Sequence, residues 1–152
     1  MPSALAACMA AVTAFYQLPP QALPAIRAVE NGHSGIVRHN QNGSDDLGVM
    51  QINTLWLPIL AHSTGLSRPR LRRALINQDC FNVAVAGGIL RIYLHETGDL
   101  LAAIGTYHSH TPALREAYQL RVLSLSPMAV PSGRTTGRTH AAIAIRSAHK
   151  RH

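Results

Sequence analysis

Residues 40–53 read Asn40-Gln41-Asn42-Gly43-Ser44-Asp45-Asp46-Leu47-Gly48-Val49-Met50-Gln51-Ile52-Asn53. The first half is polar and turn-rich, and Asn42-Gly43 marks a small hairpin there. Gly48 permits close backbone approach. Met50, Gln51 and Asn53 then set an apolar group beside amide donors and acceptors. Upstream, a helix starting near Gln21 carries Leu23, Ile26 and Val29 at near-helical spacing and stops at Glu30-Asn31-Gly32. Before it, an Ala-rich helix over Ser3–Gln17 ends ahead of Leu18-Pro19-Pro20. Downstream, punctuation predicts helices over Asn53–Ala61, over Arg68–Ile76 with Pro69 as its first residue, over Asn82–His95 and over Asp99–Thr106. One more is predicted over Thr111–Leu123, where Thr111-Pro112 supplies an N-cap and N1 pair. Strand-like alternation is scarce, so the fold class is mainly α with at most a very small β-hairpin.

The chain has 152 residues and is 47% hydrophobic, enough for one domain with its own core. No run approaches the roughly 18 apolar residues of a membrane span. The net charge of +7 is unevenly spread, because Arg134, Arg138, Arg146, Lys150 and Arg151 fall in residues 126–152, which hold no acid. Residues 1–125 form the expected domain, and residues 126–152 a mobile basic tail rich in Pro, Ser, Gly, Thr and Ala. The first 18 residues contain no Lys or Arg, so the charged region that opens a secretory leader is missing. Leu5-Ala6-Ala7-Cys8 looks like a lipoprotein cleavage box, but too few residues precede it. A structured first helix is the expectation.

Acids are scarce, and most have structural explanations. Asp79 and Asp99 sit where helices begin, Glu96 and Glu116 on solvated helix faces, and Asp45 and Asp46 in the turn-rich loop. Glu30 differs, because it ends an apolar helix. The helix dipole and apolar neighbours there favour the uncharged form that a general acid needs. With the amide-rich surface of residues 50–53, the segment suits a sugar bearing N-acetyl groups.

Residues 5–124 resemble the lytic transglycosylases with a soluble-lytic-transglycosylase (goose-lysozyme-like) domain, especially the small type associated with conjugation, type IV secretion and invasion systems. The resemblance rests on Glu30, on Gly48-Val49-Met50-Gln51-Ile52-Asn53, on Asp79-Cys80 followed by Asn82-Val83-Ala84-Val85-Ala86-Gly87-Gly88-Ile89-Leu90, and on Ala103-Ile104-Gly105-Thr106-Tyr107-His108-Ser109. It implies a lysozyme-like fold and cleavage of the β-1,4 bond between N-acetylmuramic acid and N-acetylglucosamine in peptidoglycan. Glu30 would serve as acid and then base, giving 1,6-anhydromuramic ends without metal or cofactor. Gly48, Met50, Gln51 and Asn53 would line the glycan cleft, and Tyr107 would help position the acid. The chain departs from the family pattern at Asn31, where relatives carry Ser, and at His108, where they carry Asn. The resemblance also pairs Cys8 with Cys80 in a disulfide, which requires an oxidising compartment. It further implies a monomer in the periplasm or cell envelope, opening the wall for a secretion or conjugation apparatus.

Residues 42–48 also resemble animal c-type lysozymes, in which the aspartate at the place of Asp46 is a second carboxylate. A retaining hydrolase holds its two carboxyl groups about 5–5.5 Å apart, so hydrolysis is the alternative outcome. Another is a component that binds peptidoglycan without cutting it. His95-Glu96 and His108-Ser109-His110 lack metal-site spacing. The arginine tail lacks the aromatic interleaving of a nucleic-acid site. Trp56 and Tyr93 read as packing residues, and Arg68, Arg70, Arg72 and Arg73 as a solvated helix face.

Overall fold

The computed structural model describes residues 3–108 and 119–121. Ser3 starts α1 (Ala4–Tyr16) by accepting the Ala6 N–H on its hydroxyl at 3.1 Å, the side-chain cap that an exposed helix start needs. The prolines after Gln17 force a break, and α2 (Ala22–Glu30) follows. It buries Leu23, Ile26 and Val29, the stripe its spacing predicts, together with Ala22 and Ala25. Asn31 ends α2 in the left-handed region, at φ 51°.

Three short antiparallel strands come next: β1 (Val37–His39), β2 (Asp45–Leu47) and β3 (Ile52–Asn53), in that spatial order. Gly43, at φ +84°, makes the β1–β2 turn possible. The register sets Arg38 opposite Asp46 and His39 opposite Asp45, and then Asp46 opposite Asn53. The sequence foresaw the hairpin but not β3, whose two residues are too few to show alternation.

Leu57 begins α3 (Leu57–Thr64) directly after a 3₁₀ turn at Thr54–Trp56, so the helix expected over Asn53–Ala61 is two pieces. Ser67 caps α4 (Arg68–Asn77). The longest helix, α5 (Asp79–Thr97), begins three residues ahead of its predicted start, and α6 (Leu100–His108) opens with the Asp99 carboxylate accepting the Ala102 N–H at 2.9 Å. The helix expected over Thr111–Leu123 falls within the described residues only at 119–121, which are helical. The basic tail of 126–152 lies outside them.

α5 is the axis of the domain. Its Val83, Ala86 and Leu90 are fully covered and join Leu23, Ile26, Leu47, Met50, Leu71 and Ile104 in one core. Gly87 and Gly88 let α1 lie close on α5, since a Cβ at Gly87 would run into Val12 and one at Gly88 would stand 3.2 Å from the Tyr16 hydroxyl. A Cys8–Cys80 disulfide, Cα–Cα 5.4 Å, fastens the same two helices. Among the described residues no helix is long and apolar enough to cross a membrane.

A candidate active site between the hairpin and two helices

The end of α2, the three-stranded sheet and the end of α6 converge on a cleft of about 760 Å³. Glu30, Asp46, Gln51, Asn53, Tyr107 and His108 all face it. The Glu30 side chain is only 15% exposed, and His108 Nδ1 stands 3.6 Å from its Oε1. Here α6 returns beside α2, so a histidine 78 positions further along the chain becomes the neighbour of the acid.

Across the cleft, Asp46 is held by amides at both oxygens. Asn53 donates to Oδ1 at 2.9 Å and Asn40 to Oδ2 at 3.1 Å. The β2–β3 register brings Asn53 opposite Asp46, and the hairpin brings Asn40 back to it. The adjacent Asp45 points to the other face, as alternation along a strand requires. It pairs there with His39 at 2.6 Å and Arg72 at 3.0 Å. The hydrogen bond from His39, then the charges of His39 and Arg72, hold its carboxyl below the usual aspartate value against the opposing effect of burial.

The loop between β2 and β3 sorts its residues sharply. Gly48 has φ +70°, and a Cβ there would collide with the Leu75 carbonyl and the Asn82 amide. The close approach that its glycine permits is therefore to the protein's own backbone. Met50 is wholly buried. Neither Gly48 nor Met50 lines the cleft, whereas Gln51, in the left-handed region at φ 54°, does. Its amide donates to Gly48 O at 2.8 Å. Met50 contributes its carbonyl, which accepts the Tyr107 hydroxyl at 3.0 Å. Burial, followed by the negative charges of Glu30 and Asp46, pushes the Tyr107 phenol well above the ordinary tyrosine value. It stays a donor throughout the neutral range.

Two residues bonded to the backbone around the cleft escaped the sequence reading. Asn82 lies fully buried on α5, where it accepts the Met50 N–H at 2.9 Å and donates to Leu47 O and Leu75 O, each at 2.8 Å. The available signal was a single amide within the otherwise apolar run Phe81–Leu90, a residue that must find partners. Arg38 donates to the Glu30 and Asn31 carbonyls at 2.6 and 3.0 Å. The negative end of the α2 dipole, invoked above for Glu30, is thus met by a guanidinium. Trp56 is not plain core: it lines the cleft and meets Tyr93 edge to face, 6.1 Å between centroids. Leu55 and Ile59, 70% and 55% exposed, add an apolar rim.

The cleft thus offers a sheltered carboxyl group, a second carboxylate in an amide cradle, and amide and aromatic groups that match the polar edges and apolar faces of a sugar. Among the described residues no group of His, Cys, Asp and Glu is arranged to hold a metal ion. No family model matches the chain. It is 29% identical over 120 residues to invasion protein IagB of Salmonella typhimurium, covering 78% of this chain and 72% of that one. With protein IpgF of Shigella flexneri it shares 31% identity over 108 residues, covering 70% of this chain and 67% of the other. The aligned length is enough to contain the helices and loop that build the cleft, and the chain belongs to the family of IpgF and invasion protein IagB.

Proposed function

We propose that the protein is a peptidoglycan lytic transglycosylase. The observation that carries this reading is the sheltered Glu30 carboxyl, 15% exposed, at the wall of an amide-lined cleft. Glu30 protonates the glycosidic oxygen between N-acetylmuramic acid and N-acetylglucosamine as the C1–O bond breaks. The resulting carboxylate then takes the proton of the muramic 6-hydroxyl, whose oxygen closes onto C1. The product is a 1,6-anhydro ring, and Glu30 ends reprotonated and ready for the next turnover. The nucleophile belongs to the substrate, so neither a second protein carboxylate nor a metal is required. Gln51 keeps one amide N–H for an N-acetyl group, Asn53 lines the cleft while holding Asp46, Trp56 and the Leu55–Ile59 rim meet sugar faces, and Tyr107 holds the loop beside the acid.

The disulfide fits an oxidising compartment, and the periplasm, where the substrate lies, is the compartment proposed. A relative named as an invasion protein supports a role in opening the wall locally for a secretion or conjugation apparatus. One observation favours a second reading. Asp46, a carboxylate held by amides at both oxygens on the same cleft as Glu30, supports a retaining lysozyme, in which water would end the reaction.

Mass spectrometry of muropeptides released from purified peptidoglycan separates the two. Anhydro ends that vanish with Glu30→Gln and survive Asp46→Asn establish the transglycosylase. Reducing ends that vanish with either substitution establish the hydrolase. No release by the unsubstituted protein refutes both.

A further inference from the structure

The cleft wall does not include Arg38, yet this side chain ties together groups that form it. Nη1 donates to the Glu30 carbonyl at 2.6 Å and to Gln51 Oε1 at 3.3 Å, while Nη2 donates to the Asn31 carbonyl at 3.0 Å. The two carbonyls belong to the end of α2, where backbone acceptors have no partner within the helix. A planar guanidinium can serve both at once, which an ammonium cannot do in the same geometry. Glu30 is the last residue of α2, in the turn of a helix most prone to fray.

The β1 backbone adds the other half. Arg38 is the register partner of Asp46, and partners across a ladder share a face of the sheet. Through its guanidinium Arg38 fixes Glu30, and through its strand it fixes Asp46. Gln51, on the far side of the loop, is held by the same side chain and in turn grips Gly48 O. One residue therefore bonds to both walls of the cleft.

We propose that Arg38 is a positioning residue of this site, setting the separation between the Glu30 acid and the sheet and loop that carry Asp46 and Gln51. The inference rests on the catalytic reading of Glu30. It assigns Arg38 no contact with substrate, and its tie to Gln51 is the longest of its three bonds at 3.3 Å, so its loss should show mainly in the chemical step. A reacting group displaced by about 1 Å can cost on the order of 100-fold in rate.

The test is the initial-rate kinetics of the full chain, disulfide intact, on soluble peptidoglycan glycan strands, comparing Arg38→Gln and Arg38→Lys with the parent. Folded content is matched by near-ultraviolet circular dichroism. For Arg38→Gln we expect kcat to fall about 10- to 100-fold with KM within about threefold. Arg38→Lys, which keeps the charge and one tie, should lose less, on the order of several-fold. Parental kcat in folded Arg38→Gln, or a loss confined to KM, overturns the proposal. If Arg38→Gln does not fold, Arg38→Lys decides alone, and parental kcat in it overturns the proposal. A parent that releases nothing from peptidoglycan instead removes the catalytic reading, and the role of Arg38 with it. Full activity in Arg38→Gln beside an active parent and a dead Glu30→Gln removes only the role of Arg38.

Discussion

Replacing Asn82 with Ala should be among the most damaging single changes that leave the cleft walls chemically intact. The side chain is wholly buried, and its three hydrogen bonds join α5 to the Gly48–Met50 loop and to the end of α4. Truncation leaves the Met50 N–H buried without its partner and withdraws donors from the Leu47 and Leu75 carbonyls. An orphaned buried polar group costs about 1–3 kcal/mol. The N–H has one bond to make and suffers most of that penalty, whereas a carbonyl keeps a second lone pair for other donors. The sum is about 3–5 kcal/mol, against a total stability of about 5–15 kcal/mol for a domain. At about 4 °C per kcal/mol for a domain of this size, the melting temperature should drop by about 12–20 °C. Thermal and urea unfolding followed by far-ultraviolet circular dichroism, with the disulfide oxidised throughout, measures it. Asn82→Asp sharpens the test. It keeps an acceptor for Met50 but aims a buried carboxylate at two carbonyl oxygens, so the native state disfavours ionisation and raises the carboxyl's folded value. The variant should therefore be at its most stable in acid and lose stability as pH rises toward neutral. A loss below about 1 kcal/mol for Asn82→Ala refutes the claim that this amide holds the loop.

Opening the Cys8–Cys80 bond releases a ring of sequence separation 72, for which chain entropy gives about 4 kcal/mol. Urea midpoints with and without reductant should differ accordingly, and coincident curves would show that the bond contributes nothing. Tyr107→Phe removes a hydrogen bond to the Met50 carbonyl and should cost about 1 kcal/mol. The Tyr107 phenol is raised in the folded state, so its contribution is complete below the ordinary tyrosine value near pH 10 and is lost as pH climbs through the folded one. Ultraviolet titration should find one tyrosine, deleted by Tyr107→Phe, that ionises only with unfolding. Free titration at its ordinary value would contradict the buried placement.

What the sequence displays and what it hides divide along one physical line. The limits of α1 and α2 were legible because their causes are local. Ser3 caps α1, Pro19-Pro20 separates it from α2, and Leu23, Ile26 and Val29 share one stripe. Glu30 stood out for the same reason, as a carboxylate ending an apolar helix. The burial of Met50 beside a cleft-lining Gln51 could not be read in this way. A left-handed φ at Gln51, a residue type with no marked preference for it, sends Met50 into the core and its amide neighbour to the cleft. His108 meets Glu30, and Asn82 meets Met50, only because α6 packs beside α2 and α5 packs against the loop, contacts that join residues far apart in the chain. Arg38 looked like one cation among many, since nothing in its flanking residues announces two carbonyls at the end of another helix.

The disulfide also divides the molecule into a loop and an appendix. Residues 8 to 80 form a covalent circle that contains Glu30, Arg38, Asp46, Gln51 and Trp56, while Tyr93, Tyr107 and His108 hang outside it. The exposed hairpin tip at Gln41–Gly43, the natural place for a protease to cut, lies on the circle. One cleavage there turns a ring into an open chain without releasing either piece, so a nicked molecule keeps both carboxylates on a single covalent body. A cut beyond Cys80 has no such insurance, and α6 with its tyrosine could leave. Wherever the chain meets a protease, topology makes damage on one side of residue 80 survivable and damage on the other side final.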